Sequence, residues 1–199
     1  MAISEVSICN ASLLYTGSYR IQSLTQLNSK EARACNTLYE LSRDSVLEDH
    51  DWGFARSEAT LALLSDTYSG WDYAYAFPTG CLVPRSIYDG SEVEGADPID
   101  YEIRVNDTFT QNIILTDKQN AVLIFTAKVE NPVLFSALFA SALSYKLASD
   151  LAVPLKSDKN MKVEMLNNYY TVRGQAKSSN SNAGSRAPSE SSSFTRARL

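Results

Sequence analysis

The sequence holds one histidine and three cysteines in 199 residues, and each shortage excludes chemistry. A zinc site draws three or four ligands chiefly from His and Cys, and no second imidazole exists to join His50. Cys9, Cys35 and Cys81 are odd in number, far apart and without a CxxC pair, so no disulfide framework is expected and the spacing suits a reducing compartment. Long hydrophobic runs are missing as well. The stretches 121–125 and 137–140 fall far short of the roughly 20 apolar residues that span a bilayer, so no membrane association is expected. Met1-Ala2-Ile3-Ser4-Glu5 carries no basic region ahead of an apolar run, and no signal peptide is expected. There is no GxxxxGK phosphate loop, GxSxG elbow, HExxH or GxGxxG, so no cofactor and no metal are expected and an enzyme is not.

What is present has the balance of an ordinary globular domain, 44% hydrophobic and 21% charged, at a length that one core can serve. Eighteen basic residues face 23 acidic ones, a net charge of -5, and the split is uneven. Residues 177–199 hold Lys177, Arg186, Arg196 and Arg198 against Glu190 alone, a net of +3; the remaining 176 hold 14 basic and 22 acidic residues, a net of -8. An acidic body lacks the clustered cations that grip phosphates, so broad nucleic-acid binding is not expected. A basic tail on such a body points to interaction through the tail.

The periodicity predicts an α+β chain: a bundle of about four helices with an inserted small antiparallel β region and an extended C-terminal tail. The first helix, 4–15, has Val6, Cys9 and Leu13 at helical spacing, Ser4 as cap and Gly17 past its end. The second, 28–48, has Asn28 to cap it, Glu31 to reach back, and an apolar stripe of Ala34, Leu38, Leu41, Cys35, Tyr39 and Val46. Residues 52–128 turn to aromatic and β-branched types broken by Gly and Pro, the mark of a small antiparallel meander. Its strands are expected at 73–77, 101–105, 113–116 and 122–128, the last two flanking a polar turn at 117–120. The stretch 54–64 fits helix or strand, and strand is preferred. Asn131-Pro132 marks the start of a core helix, 131–152, that Pro154 ends; a last helix, 157–176, turns Met161, Met165, Leu166, Tyr169 and Val172 inward. The folded body thus covers 1–176, and 177–199 is an extension with eight serines and a single aromatic, Phe194. Such a composition does not recover an ordering cost of about 1–2 kcal/mol per residue by itself, so a partner is expected to order it.

Few residues suggest chemistry. His50 lies in Glu48-Asp49-His50-Asp51-Trp52, where a polar helix end beside a buried Trp52 is the plainer reading than a metal or an oriented base. A Cys-His nucleophile needs one cysteine to meet His50, yet Cys9 and Cys35 fall on apolar helix stripes. The acidic run 89–97 lacks calcium-loop spacing and reads as a solvated loop. Trp71, Tyr73, Tyr75 and Phe77 alternate without neighbouring Lys or Arg, as sheet core or a subunit interface does, rather than as a base-stacking platform.

In order, the chain presents a short helix, Ile21-Gln22-Ser23-Leu24, a helix leading to Trp52-Gly53-Phe54-Ala55-Arg56, and Trp71-Asp72-Tyr73-Ala74-Tyr75-Ala76-Phe77-Pro78-Thr79-Gly80-Cys81-Leu82. The strand 121–125, the Asn131-Pro132 helix start and a closing Ser193-Phe194-Thr195-Arg196-Ala197-Arg198 follow. This order and spacing resemble the tail tubular protein A family, the head-to-tail adaptor of short-tailed bacteriophages, over nearly the whole chain. The resemblance implies a structural virion protein in the tail neck, made in the host bacterial cytoplasm. It implies a homo-oligomer, a twelve-subunit ring between the portal protein and a tail nozzle of the tail tubular protein B kind, with tail fibres as a further candidate neighbour. DNA would pass through the ring without specific binding, past a wall whose acidity keeps phosphates from adhering. Phe194, Arg196 and Arg198 would be the anchors of a portal-docking tail. The acidic segment 89–107 departs from the family pattern. A neck or tail-terminator ring of another phage lineage fits the same features, and a small Cys-dependent hydrolase is the rival from a different class.

Overall fold

In the computed structural model, which describes residues 3–26, 28–88 and 99–182, Ser4 opens the first helix. Its hydroxyl accepts the Ser7 amide at 3.1 Å while the Ser4 amide donates to Ser7 Oγ at 2.9 Å, a reciprocal cap for α1, Glu5–Tyr15. Gly17 stops it. At φ +61° it holds a left-handed conformation, and the Gly17 and Ser18 amides donate back to the Leu14 and Leu13 carbonyls. Helix α2, Lys30–Glu48, is capped by Ser29 and not by the expected Asn28. The Ser29 hydroxyl is the one placed three residues before the Ala32 amide, which it accepts at 3.2 Å, and it donates to Glu31 at 3.0 Å. Leu41, expected in the inner stripe, is 68% exposed, because the buried face runs through Cys35, Tyr39, Ser42 and Val46.

The Asn131-Pro132 signal belongs to a single 3-10 turn, Pro132–Leu134, rather than to the core helix itself. Asn131 caps that turn, the chain becomes extended, and Ser136 then caps α3, Ala137–Lys156, by accepting the Phe139 amide at 3.1 Å. Leu134 consequently lies outside the core. Pro154 does not end α3: it removes only its own N–H, and the Ser157 amide still reaches the Val153 carbonyl at 2.9 Å. Ser157, at φ +56°, turns the chain, Asp158 caps through the Asn160 and Met161 amides, and α4 runs Lys159–Asn182, six residues beyond the expected end. Helix α3 packs against α1, α2 and α4 and is the centre of the bundle. Phe139, Leu143, Leu147 and Leu151 are fully buried along it, each stabilising the fold by roughly 1.5–3 kcal/mol.

Between α2 and α3 the chain leaves the bundle through a 3-10 turn, Gly53–Ala55, and among the described residues forms six strands: β1 Arg56–Thr60, β2 Tyr73–Ala76, β3 Cys81–Tyr88, β4 Glu102–Val105, β5 Asn112–Thr116 and β6 Val122–Ala127. The expected meander is replaced by two three-stranded antiparallel sheets, ordered β1-β6-β3 and β2-β5-β4. Strands β5 and β6, which the polar turn 117–120 made look like a hairpin, pair in different sheets. Ile114 of β5 shares a core with Leu123 and Phe125 of β6 and Ile87 of β3, whereas Ile113 and Leu115 face Ala74 under the 61–71 loop. Covered on both faces, β5 serves as the central layer. Strand β3, which is not among the expected strands, is an edge strand that carries Pro84, with register shifts on both sides of that proline. Strand β1 accounts for only part of 54–64. Where the chain leaves and rejoins the bundle, Trp52, Phe54, Phe135 and Phe139 form an aromatic knot with centroids 4.7–6.3 Å apart. The Trp52 indole donates to the Val46 carbonyl at 2.8 Å.

Candidate functional site

The alternating aromatics resolve into two layers. Tyr73, Tyr75 and Phe77 fall on one face of β2 and its extension, toward the core between the sheets. Tyr75 is 2% exposed and its hydroxyl donates to the Lys118 carbonyl at 2.8 Å. Trp71 lies under the other layer, with its indole donating to Glu102 at 3.0 Å. Tyr75 belongs to the sheet core, and Tyr73, Phe77 and Trp71 are half-buried against its two layers. Glu102, from the acidic segment, also accepts the Arg104 guanidinium at 2.8 Å, which holds its carboxyl below the usual range. Residues 89–98 of that segment lie outside the described residues.

Phe194, Arg196 and Arg198 also lie outside the described residues, so what the structure offers is the root from which they continue. That root is anchored at the end of α2. Arg173 Nη1 reaches both Asp49 carboxylate oxygens at 2.9 Å, Lys177 Nζ lies 3.3 Å from Oδ2, and the Tyr169 hydroxyl donates to Oδ2 at 3.3 Å. Lys177 also donates to the Asp49 carbonyl at 3.2 Å. The Arg173 guanidinium lies over the Tyr169 and Tyr170 rings, 5.7 and 5.0 Å from their centroids. Burial, then the charge of Asp49, pushes the Tyr169 phenol up to about 12. Beside this cluster a cleft of about 350 Å³ opens between Ser45 and Glu48 of α2, Lys146 of α3, and Leu166 and Tyr170 of α4.

The sequence reading saw Asp49 only as part of a polar helix end and missed Arg173 and Lys177. The signal available was their i, i+4 spacing behind Tyr169-Tyr170, which makes one basic column on one helix face.

His50 packs edge-on against Trp52 with centroids 5.0 Å apart, and burial followed by the charge of Lys177 pulls its imidazole below the usual value. Cys9 and Cys35 are fully buried between α1 and α2; the hydrogen bond with Cys35, then burial, pushes the Cys9 thiol up. Cys81 on β3 is half-buried and pushed up to about 11 by burial. Among the described residues, no group of three or more His, Cys, Asp or Glu is placed to hold a metal ion, and no helix is long and apolar enough to cross a membrane. No protein-family model matches the chain, and no curated protein does.

Proposed function

We propose that the chain is a head-to-tail adaptor of a short-tailed bacteriophage, a structural ring subunit joining the portal to the tail nozzle around the DNA passage. The observation that carries this reading is the order of the sequence elements, from the opening helix through the Trp71–Leu82 run to the closing Phe194-Thr195-Arg196-Ala197-Arg198. The α+β architecture, with four helices and an inserted β region among the described residues and a basic segment beyond α4 in the sequence, is compatible with it. A ring uses heterologous contacts, so each subunit must offer two unlike faces. The helical bundle and the paired sheets provide unlike surfaces. A short tail repeated around a ring binds tightly through avidity, since each docked copy raises the effective concentration of the next.

The test is to mix the purified full chain with the portal protein of the same phage and measure the particle mass and binding. A dodecamer-sized assembly that binds portal, and loses that binding on deletion of 177–199, is the expected result. A monomer that leaves the portal ring unbound overturns the reading.

A further inference from the structure

Helix α2 ends with two acids, Glu48 and Asp49, and has no basic residue in its last turn. The negative end of a helix dipole disfavours both. The missing cations come from elsewhere in the chain. Arg85 of β3 donates to the Glu48 carbonyl at 3.0 Å, and Lys177 of α4 to the Asp49 carbonyl. The Asp49 carboxylate meanwhile collects Arg173, Lys177 and the Tyr169 hydroxyl. Asp49 is therefore ill-suited to ending α2 alone and well-suited to holding α4.

Helix α4 needs such a hold. Ala176 is its last buried apolar side chain, and the residues around and after it are Gly174, Ser178, Ser179, Asn180, Ser181 and Asn182. Glycine, serine and asparagine are weak helix formers, and a run of them has no apolar face to keep it wound. The side chains of Asp49, Arg173 and Lys177 are each only about 30% exposed, which limits screening by salt.

We propose that Asp49 is a latch: it holds the last turns of α4 against the bundle and so fixes where the C-terminal extension leaves the body. The latch rests on the adaptor reading only for its purpose, which is to present the extension to the portal in one place. Its ordering action is independent of any partner.

Amide hydrogen exchange on the full chain tests it. In Asp49→Asn, exchange over 173–182 rises at least tenfold, while amides in 139–151 of α3 keep their protection. In Arg173→Gln the same segment loosens, and the charge-exchanged pair Asp49→Arg with Arg173→Asp recovers part of the protection, which an effect on global folding would not do. Unchanged exchange over 173–182 in Asp49→Asn overturns the latch, and so does loss of protection spread equally over α3. Portal binding is measured in parallel: about tenfold weaker binding by Asp49→Asn supports the assigned purpose. If the unaltered chain leaves portal unbound, the adaptor reading fails while the exchange result still decides the latch.

Discussion

Phe109 occupies φ +55° at the tip of the β4–β5 hairpin, where an L-residue's Cβ crowds the following carbonyl, and it is 85% exposed. Asn106 holds it there, accepting the Thr110 amide at 2.8 Å while the Phe109 amide donates to the Asn106 carbonyl at 2.9 Å. Asparagine tolerates this conformation better than an aromatic residue, so Phe109→Asn is expected to raise stability by about 1 kcal/mol in urea unfolding. Phe109→Ala keeps the Cβ and is expected to leave the midpoint unchanged. His50 gives a prediction of its own. Its folded value lies below the ordinary 6.5, so the unfolded chain takes up the proton first as pH falls. The stability contributed by neutral His50 is complete above pH 6.5 and is lost as pH drops through 6.5 toward the folded value. Urea midpoints at pH 7.5 and 5.5 are expected to differ less in His50→Asn than in the unaltered chain; an equal difference contradicts the assignment. The thiols separate by burial. Cys81, at about 11, labels slowly at neutral pH and faster with each rise in pH, whereas Cys9 and Cys35 label only on unfolding. A fast thiol below pH 7 in the folded chain would revive the hydrolase alternative.

At the scale of elements, local chemistry was readable and pairing was not. The Ser4 cap and the Gly17 stop were visible because each acts within four residues of itself. The Asn131 signal was visible too, but two caps stand in tandem and the second one starts α3. Ser136→Ala is expected to cost about 1 kcal/mol, by leaving the Phe139 amide without its acceptor. Asn131→Ala, which uncaps one exposed turn, is expected to cost less than half as much; the reverse order in thermal unfolding would assign the start of α3 to Asn131. Strand alternation revealed β2, β4, β5 and β6, yet nothing in the 117–120 turn says that its flanking strands join different sheets. That choice is made by Ile113, Ile114 and Leu115, which are apolar at consecutive positions and so require cover on both faces of β5. Strand β3 was not expected at all: it carries Pro84, proline is compatible only with an edge, and edges are assigned by the whole sheet rather than by a local pattern.

For the whole molecule, the charge division between a -8 body and a +3 tail needs one adjustment: Lys177 is a tail cation by sequence and a body residue by contact. Helix α4, which carries Lys177, runs on to Asn182, six residues past Ala176. Two truncations separate anchoring from docking. Removing 183–199 leaves the Asp49 cluster intact, and its melting temperature is expected to match that of the full chain. Removing 177–199 takes away Lys177 and brings the chain end to the buried Ala176, which is expected to cost about 1 kcal/mol, discounted for partial exposure of the pair. For a body of this size that is a fall of roughly 2–4 °C by calorimetry. Under the adaptor reading both truncations lose portal binding, since both lack Phe194, Arg196 and Arg198, and only the longer one also loosens α4. If the shorter truncation melted as low as the longer one, the stabilising contact would lie within 183–199 and not at Lys177.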